Sequence, residues 1–371
     1  MIRLPNRESC CGCGACSAVC VHAALEMKAD AMGFPYPVVN SEACVDCGLC
    51  ERVCAFHRPD DYVAPRAFAV RFPALLDGSQ SGGLATAVMR KAVREGYVVY
   101  GAAMDADYVV RHRRIETLED LEPLRLSKYV QSETTSILAP LVADFKAGRK
   151  VLFTGTPCQC AGMASLAGLY RGRLLTADII CHGVPSPAIW KDYLDYVQER
   201  EGEKLTGAFF RDPALGWHDS RETLLFGERR VVSRNYNFLY GHNLILRPSC
   251  AVCPFASAAH PSDITMGDCW GVEKALPGFA DDNRGCSLLL VQSSEGEAFV
   301  KEFSEDCQRA ELELGAVMQE NLQRPAKLHP RAKSLEKDYI RKGFPYVLRH
   351  HGIDSLANKW EGFLKKHFTG R

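Results

Sequence analysis

A run of cysteines occurs twice near the start of this sequence, and few folds can accommodate it. Cys10-x2-Cys13-x2-Cys16-x3-Cys20 returns as Cys44-x2-Cys47-x2-Cys50-x3-Cys54, offset by 34 residues throughout. The copies share more than sulfur: Cys13-Gly14-Ala15-Cys16 matches Cys47-Gly48-Leu49-Cys50, and Val19-Cys20 matches Val53-Cys54. Nine of the 17 cysteines fall within the first 54 residues. Short secreted chains use dense cysteines as a disulfide scaffold. This chain has 371 residues, 47% of them hydrophobic, enough to build a core without one. Met1 to Glu8 holds no apolar run of the exporting kind. No stretch approaches the roughly 18–20 apolar residues of a membrane span. The expectation is a cytoplasmic protein whose thiols bind metal. Its 45 basic and 45 acidic residues cancel, which argues against a protein built to neutralise nucleic-acid phosphates.

Residues 8–56 resemble a bacterial-type ferredoxin with two 4Fe–4S clusters. Three thiolates two residues apart wrap a tight loop round three irons of a cube, and the fourth cysteine reaches the other cluster. That assigns Cys10, Cys13, Cys16 and Cys54 to one cluster, and Cys44, Cys47, Cys50 and Cys20 to the second. Gly12, Gly14 and Gly48 let backbone amides approach the sulfides. Ala24–Met27, a turn at Met32-Gly33 and Tyr36–Val39 read as a hairpin over the clusters. Zinc is the competing metal, but zinc sites pair their cysteines in two short motifs. Val21 and Ala55 stand where ferredoxins usually carry proline after the last cysteine. Cys11 is surplus to both quartets.

Beyond a polar linker at 58–66, helical and strand patterns alternate, which predicts an α/β domain with a largely parallel or mixed sheet over 67–310. The preceding module, 1–57, is a small α+β ferredoxin-like domain. An amphipathic helix follows Ser81-Gly82-Gly83, and Val98–Tyr100 reads as a strand. Thr134–Lys146 reads as a helix, Val151–Phe153 as a strand, Ala161–Leu169 as a helix and Leu174–Ile180 as a strand. Ser186 and Pro187 read as the N-cap and first residue of another helix.

Six motifs then occur in order: Gln80-Ser81-Gly82-Gly83, Ser127-Lys128-Tyr129-Val130-Gln131-Ser132, Thr154-Gly155-Thr156-Pro157-Cys158-Gln159, Cys181-His182-Gly183-Val184-Pro185-Ser186-Pro187, Cys250-Ala251-Val252-Cys253-Pro254, and Asp263–Gly271. In these, residues 8–290 resemble the coenzyme F420 hydrogenase/dehydrogenase beta-subunit family, which includes 7-hydroxymethyl chlorophyll a reductase. The resemblance implies an oxidoreductase that binds FAD beside a further 4Fe–4S cluster. It makes Ser81, Gly82, Gly83, Lys128, Gly155, Thr156 and Gln159 the expected FAD contacts, with Lys128 the candidate catalytic residue near the flavin ring or a phosphate. Cys158, Cys181, Cys250 and Cys253 become the expected ligands of a third cluster. Cys11, Cys160, Cys269, Cys286 and Cys307 are left spare.

From Arg324 to Arg371 there are 12 Lys/Arg and four Asp/Glu, a net of +8 that leaves −8 on the rest. Ile353, Leu356, Trp360, Phe363, Leu364 and His367 fall on one helical face. The extension 311–371 therefore reads as basic and helical. It either docks on the core or offers a weak surface for an acidic partner or an anionic membrane. His350-His351 reads as surface. The functional expectation is electron transfer from ferredoxin or another carrier protein, through clusters and FAD, to a small-molecule acceptor such as coenzyme F420, or in reverse. Two alternatives stand beside it. One is an electron-transfer subunit without its own substrate site, and the other a dithiol/disulfide reductase using Cys158.

Overall fold

Local sequence dictates the N-terminal loops. In the computed structural model, which describes residues 6–57, 62–280, 282–303 and 306–353, each cysteine run closes on one short helical turn. These turns are α1 (Ala15–Ala18) and α2 (Leu49–Arg52). Each is capped by a left-handed glycine, Gly14 at φ 80° and Gly48 at φ 69°, a conformation that side chains with a Cβ rarely adopt. Strands β1 (Leu25–Ala29) and β2 (Pro35–Val39) pair antiparallel with Leu25 opposite Val39, the expected hairpin. Asp30 shapes its turn by accepting from the Met32 and Phe34 amides at 2.9 and 3.0 Å.

The main domain is a mixed eight-stranded sheet. Its strands are β3 (Arg66–Arg71), β4 (Val98–Met104), β5 (Val110–Ile115), β6 (Lys150–Gly155), β7 (Arg173–Ile179), β11 (Ile264–Asp268), β12 (Ser287–Val291) and β13 (Gln308–Leu312). Strands β8 (Gly207–Phe209), β9 (Glu222–Phe226) and β10 (Arg229–Ser233) form a separate three-stranded antiparallel sheet. The spatial order of the large sheet is β13-β3-β12-β11-β7-β6-β4-β5. Its centre, β4, β6, β7 and β11, is parallel, and both flanks are antiparallel. The central strands are apolar runs, as strands covered on both faces must be.

Four helices matter to the site: α3 (Leu84–Arg94), α4 (Thr135–Lys146), α5 (Pro157–Tyr170) and α6 (Pro187–Glu201). Ser186 caps α6, accepting from the Ile189 amide at 3.1 Å, with Pro187 in the first turn as the sequence signals. Among the described residues no helix is long and apolar enough to cross a membrane.

The ferredoxin-like module shares its core with the main domain. Ala15, Val19 and Val53 pack with Leu138, Leu141, Met163 and Leu166 of α4 and α5, and Met32 and Phe34 join a second core around Trp190 and Tyr193. The expected boundary at 310 cuts through β13, whose pairing with β3 carries the sheet to Leu312. The C-terminal extension is docked over its described part. Tyr339 donates to Asp192 at 2.8 Å, and Leu335, Phe344 and Val347 are buried. His351 is buried beside Asp338 at 3.0 Å rather than on the surface, because its helix folds back on the preceding one. The apolar face beyond Ile353 lies outside the described residues.

Candidate functional site: a cysteine-lined cavity at the strand ends

Parallel strands place their loops, and hence their chemistry, at the carboxyl ends. Strand β6 ends at Gly155 and α5 begins at Pro157, so Cys158 sits in the first turn of that helix. The adjacent strand β7 ends at Ile179, two residues before Cys181. Cys250 lies in the 3-10 turn Pro248–Val252 and Cys253 follows it. These four cysteines, from three separate segments, line one cavity of about 530 Å³ including its mouth. Its walls also hold Phe56, Val184, Phe255 and His260.

The donor set and setting fit a 4Fe–4S cube. Burial pushes the Cys181 thiol well up and the Cys250 thiol to about 12, so lone thiolates are costly here and a bound cation would offset that cost. Cys158 is raised too, first by its neighbour Cys11 and then by burial, the reverse of what a thiol nucleophile requires. The sulfurs surround a space instead of meeting at a point. Among the described residues no three His, Cys, Asp or Glu side chains converge closely enough for a single ion.

The two N-terminal loops differ in depth. Cys10 and Cys50 are buried, whereas Cys47 is exposed. Cys16 is surrounded by Cys10, Cys54 and Cys50, which brings the last cysteine of the second run to the first loop as the crossed assignment requires. Cys10 in turn neighbours Cys158. Cys11, surplus by spacing, is buried and lines the same cavity as the third cysteine set. Its position depends on the docking of the module, which no local pattern encodes. Cys160, Cys269 and Cys286 are fully buried, the latter two side by side, and Cys307 is half-buried.

Docking rests on Arg247, which sequence reading missed. Its fully buried guanidinium donates to the Cys10 carbonyl at 2.7 Å, to Gln131 Oε1 at 2.9 Å and to the Pro35 carbonyl at 2.8 Å. Gln131 Nε2 donates to the Cys11 carbonyl at 3.1 Å, and the Thr134 hydroxyl to the Cys13 carbonyl at 3.1 Å. Gly12 allows this approach: a Cβ there would lie 2.8 Å from the Pro35 oxygen and 2.9 Å from the Arg247 guanidinium.

The residues expected at a flavin fall into two groups. Gly155, Thr156 and Lys128 gather near the end of β6. The Thr156 hydroxyl lies 3.3 Å from Cys158 Sγ, tying this group to the cysteine cavity. Burial lowers the Lys128 ammonium to about 7, and its Nζ donates to the Arg125 carbonyl at 2.5 Å. Gln159 is occupied internally: its Oε1 accepts from the Thr156 amide at 3.1 Å and its Nε2 donates to the Ser132 hydroxyl at 3.0 Å. Ser81, Gly82 and Gly83 precede α3, but Ser81 donates to the Cys286 carbonyl at 2.8 Å. A Cβ on Gly82 would meet the Val70 carbonyl at 2.4 Å, so its smallness also serves the sheet.

Two further side chains point to a ligand here. Buried His112 stacks on Phe153 at 4.8 Å, and its Nε2 pairs with the Thr154 carbonyl at 2.9 Å. A carbonyl only accepts, so Nε2 carries the proton and Nδ1, buried without a protein partner, is left an acceptor. Burial lowers this imidazole to about 4, keeping it neutral. Gln80, also buried, has no protein partner for either amide atom. Such unpaired groups are costly unless something satisfies them. His112 lies between charged residues in a strand, where only the unspent ring nitrogen marks it.

Comparison with known proteins agrees with this construction. Residues 148–315 match the family described as the C terminus of the coenzyme F420 hydrogenase/dehydrogenase beta subunit. Residues 9–57 match the 4Fe-4S dicluster domain. No curated protein matches the chain. Among solved structures, one chain of the F420-reducing [NiFe] hydrogenase complex from Methanosarcina barkeri, in a xenon derivative, is 20% identical. That match covers 80% of this chain and 97% of that one, with a TM-score of 0.47. With a dicluster domain fused to that beta-subunit fold, the chain is an iron–sulfur electron-transfer protein related to the coenzyme F420 hydrogenase/dehydrogenase beta subunits.

Proposed function

We propose that the protein is an iron–sulfur flavoprotein oxidoreductase linking a one-electron carrier protein to a two-electron organic acceptor. The observation that carries this reading is the convergence of Cys158, Cys181, Cys250 and Cys253 on one cavity, beside buried Cys10 and Cys11. Clusters hold single electrons, and a bound flavin couples one- to two-electron chemistry, so a chain carrying both can serve an organic acceptor such as coenzyme F420.

The chain's own residues support the parts. Exposed Cys47 belongs to the outer ferredoxin loop, where a ferredoxin or similar carrier would dock. Cys10, Cys13, Cys16 and Cys54 hold the inner cluster, and Cys20, Cys44, Cys47 and Cys50 the outer one. Lys128 offers a cation to a flavin phosphate or to the reduced ring, where negative charge develops. His112 Nδ1 accepts from a ring N–H or a ribityl hydroxyl, and Thr156, Gly155 and the Ser81–Gly83 turn supply backbone approach.

The test is anaerobic reconstitution with iron, sulfide and FAD, followed by titration with reduced ferredoxin. The reading expects about one flavin per chain that bleaches as ferredoxin is oxidised. Absence of flavin binding contradicts it. Bleaching with no turnover of coenzyme F420 or any other screened acceptor would assign the chain the role of an electron-transfer subunit.

A further inference from the structure

Cys11 belongs to neither ferredoxin quartet, yet it is held in place more tightly than most ligands. Its carbonyl is fixed by Gln131 at 3.1 Å, and the carbonyl before it by Arg247 at 2.7 Å. The side chain is more than nine-tenths buried and faces the cavity of Cys158, Cys181, Cys250 and Cys253. Its Sγ lies 3.9 Å from the Cys158 carbonyl and within hydrogen-bonding reach of both the Cys13 and the Cys158 sulfurs. One thiol thus touches a ligand from each of two sets. The neighbouring helix is shaped to the same end. Gly162, one turn after Cys158 on α5, leaves room for Cys13, whose Sγ would be 2.7 Å from a Cβ there.

We propose that Cys11 is a positioning residue that bridges the inner ferredoxin cluster and the third cluster, its thiol hydrogen-bonding between Cys13 and Cys158. This rests on the reading that Cys158 ligates a third cluster. One electron leaves the inner cluster and one arrives at the third. No bond is made or broken, and Cys11 keeps its proton throughout. Hydrogen bonds to cluster sulfurs set reduction potential, so the bridge ties the two potentials together as well as shortening the path.

The experiment uses the full chain, reconstituted anaerobically, as wild type, Cys11→Ala and Cys11→Ser. Iron is counted, cluster potentials are titrated by electron paramagnetic resonance, and the rate of third-cluster reduction is followed by freeze-quench. Both variants should keep about twelve irons, the content of three cubes. In Cys11→Ala the electron-exchange equilibrium between the two clusters should shift by roughly tenfold, the worth of one hydrogen bond to a charged group, and transfer should slow. Cys11→Ser, which keeps a donor, should stay closer to wild type. Loss of about four irons in Cys11→Ala would make Cys11 a ligand and overturn the bridge. Unchanged equilibrium and rate would overturn it too. About eight irons in wild type would instead overturn the three-cluster reading, before any variant is compared.

Discussion

Lys128 and Gly162 show how single residues carry the account. Lys128 loses a proton near neutrality because burial disfavours its charge. Its folded value of about 7 lies below the ordinary 10.5, so between these the folded chain binds fewer protons than the unfolded one. Stability therefore rises with pH across that window, and Lys128→Met should flatten the rise in urea midpoints. A bound phosphate or reduced flavin would return the proton. FAD binding just above pH 7 should then take up a proton, seen as buffer-dependent heat in calorimetry. Lys128→Gln should abolish the uptake and weaken binding by about tenfold or more. Equal heats in all buffers would show that Lys128 does not face the cofactor. Gly162→Ala places a methyl 2.7 Å from Cys13 Sγ. The expected result is about 1–3 kcal/mol of destabilisation and an altered inner-cluster resonance, with the third-cluster signal retained.

Among elements, the ferredoxin loops were fully legible, because their geometry follows from cysteine spacing and capping glycines. The strand–helix run from Val98 to Ser186 was equally plain, its apolar periods being local. What the spacing could not show was how the loops sit on the sheet. Arg247 precedes Cys250 in an irregular segment, and no period marks it as the bond between Cys10, Pro35 and Gln131. Arg247→Met should orphan these three acceptors, at about 1–3 kcal/mol for each one left buried. Hydrogen exchange should then speed first in β1 and β2. Uniform protection across the chain would mean that the apolar contacts of Ala15, Val19 and Phe34 hold the module unaided. Edge pairing was hidden for a similar reason: β13 reads as a polar stretch, and only its partner β3 makes it a strand.

Across the whole molecule, the sulfurs run from the surface to the centre of the sheet. Cys47 is exposed, Cys10 is buried beside Cys158, and Cys158 shares its cavity with cysteines from two other segments. The motifs announced that third set, but only the fold brings residues 158, 181 and 250 together, because parallel strands β6 and β7 end side by side. The central claim is that this set holds a third cube. Iron and acid-labile sulfide per chain test it most directly, in anaerobically reconstituted wild type and in a Cys181→Ser, Cys250→Ser double variant. The account predicts about twelve irons in the wild type and about eight in the variant. About eight in both would contradict it.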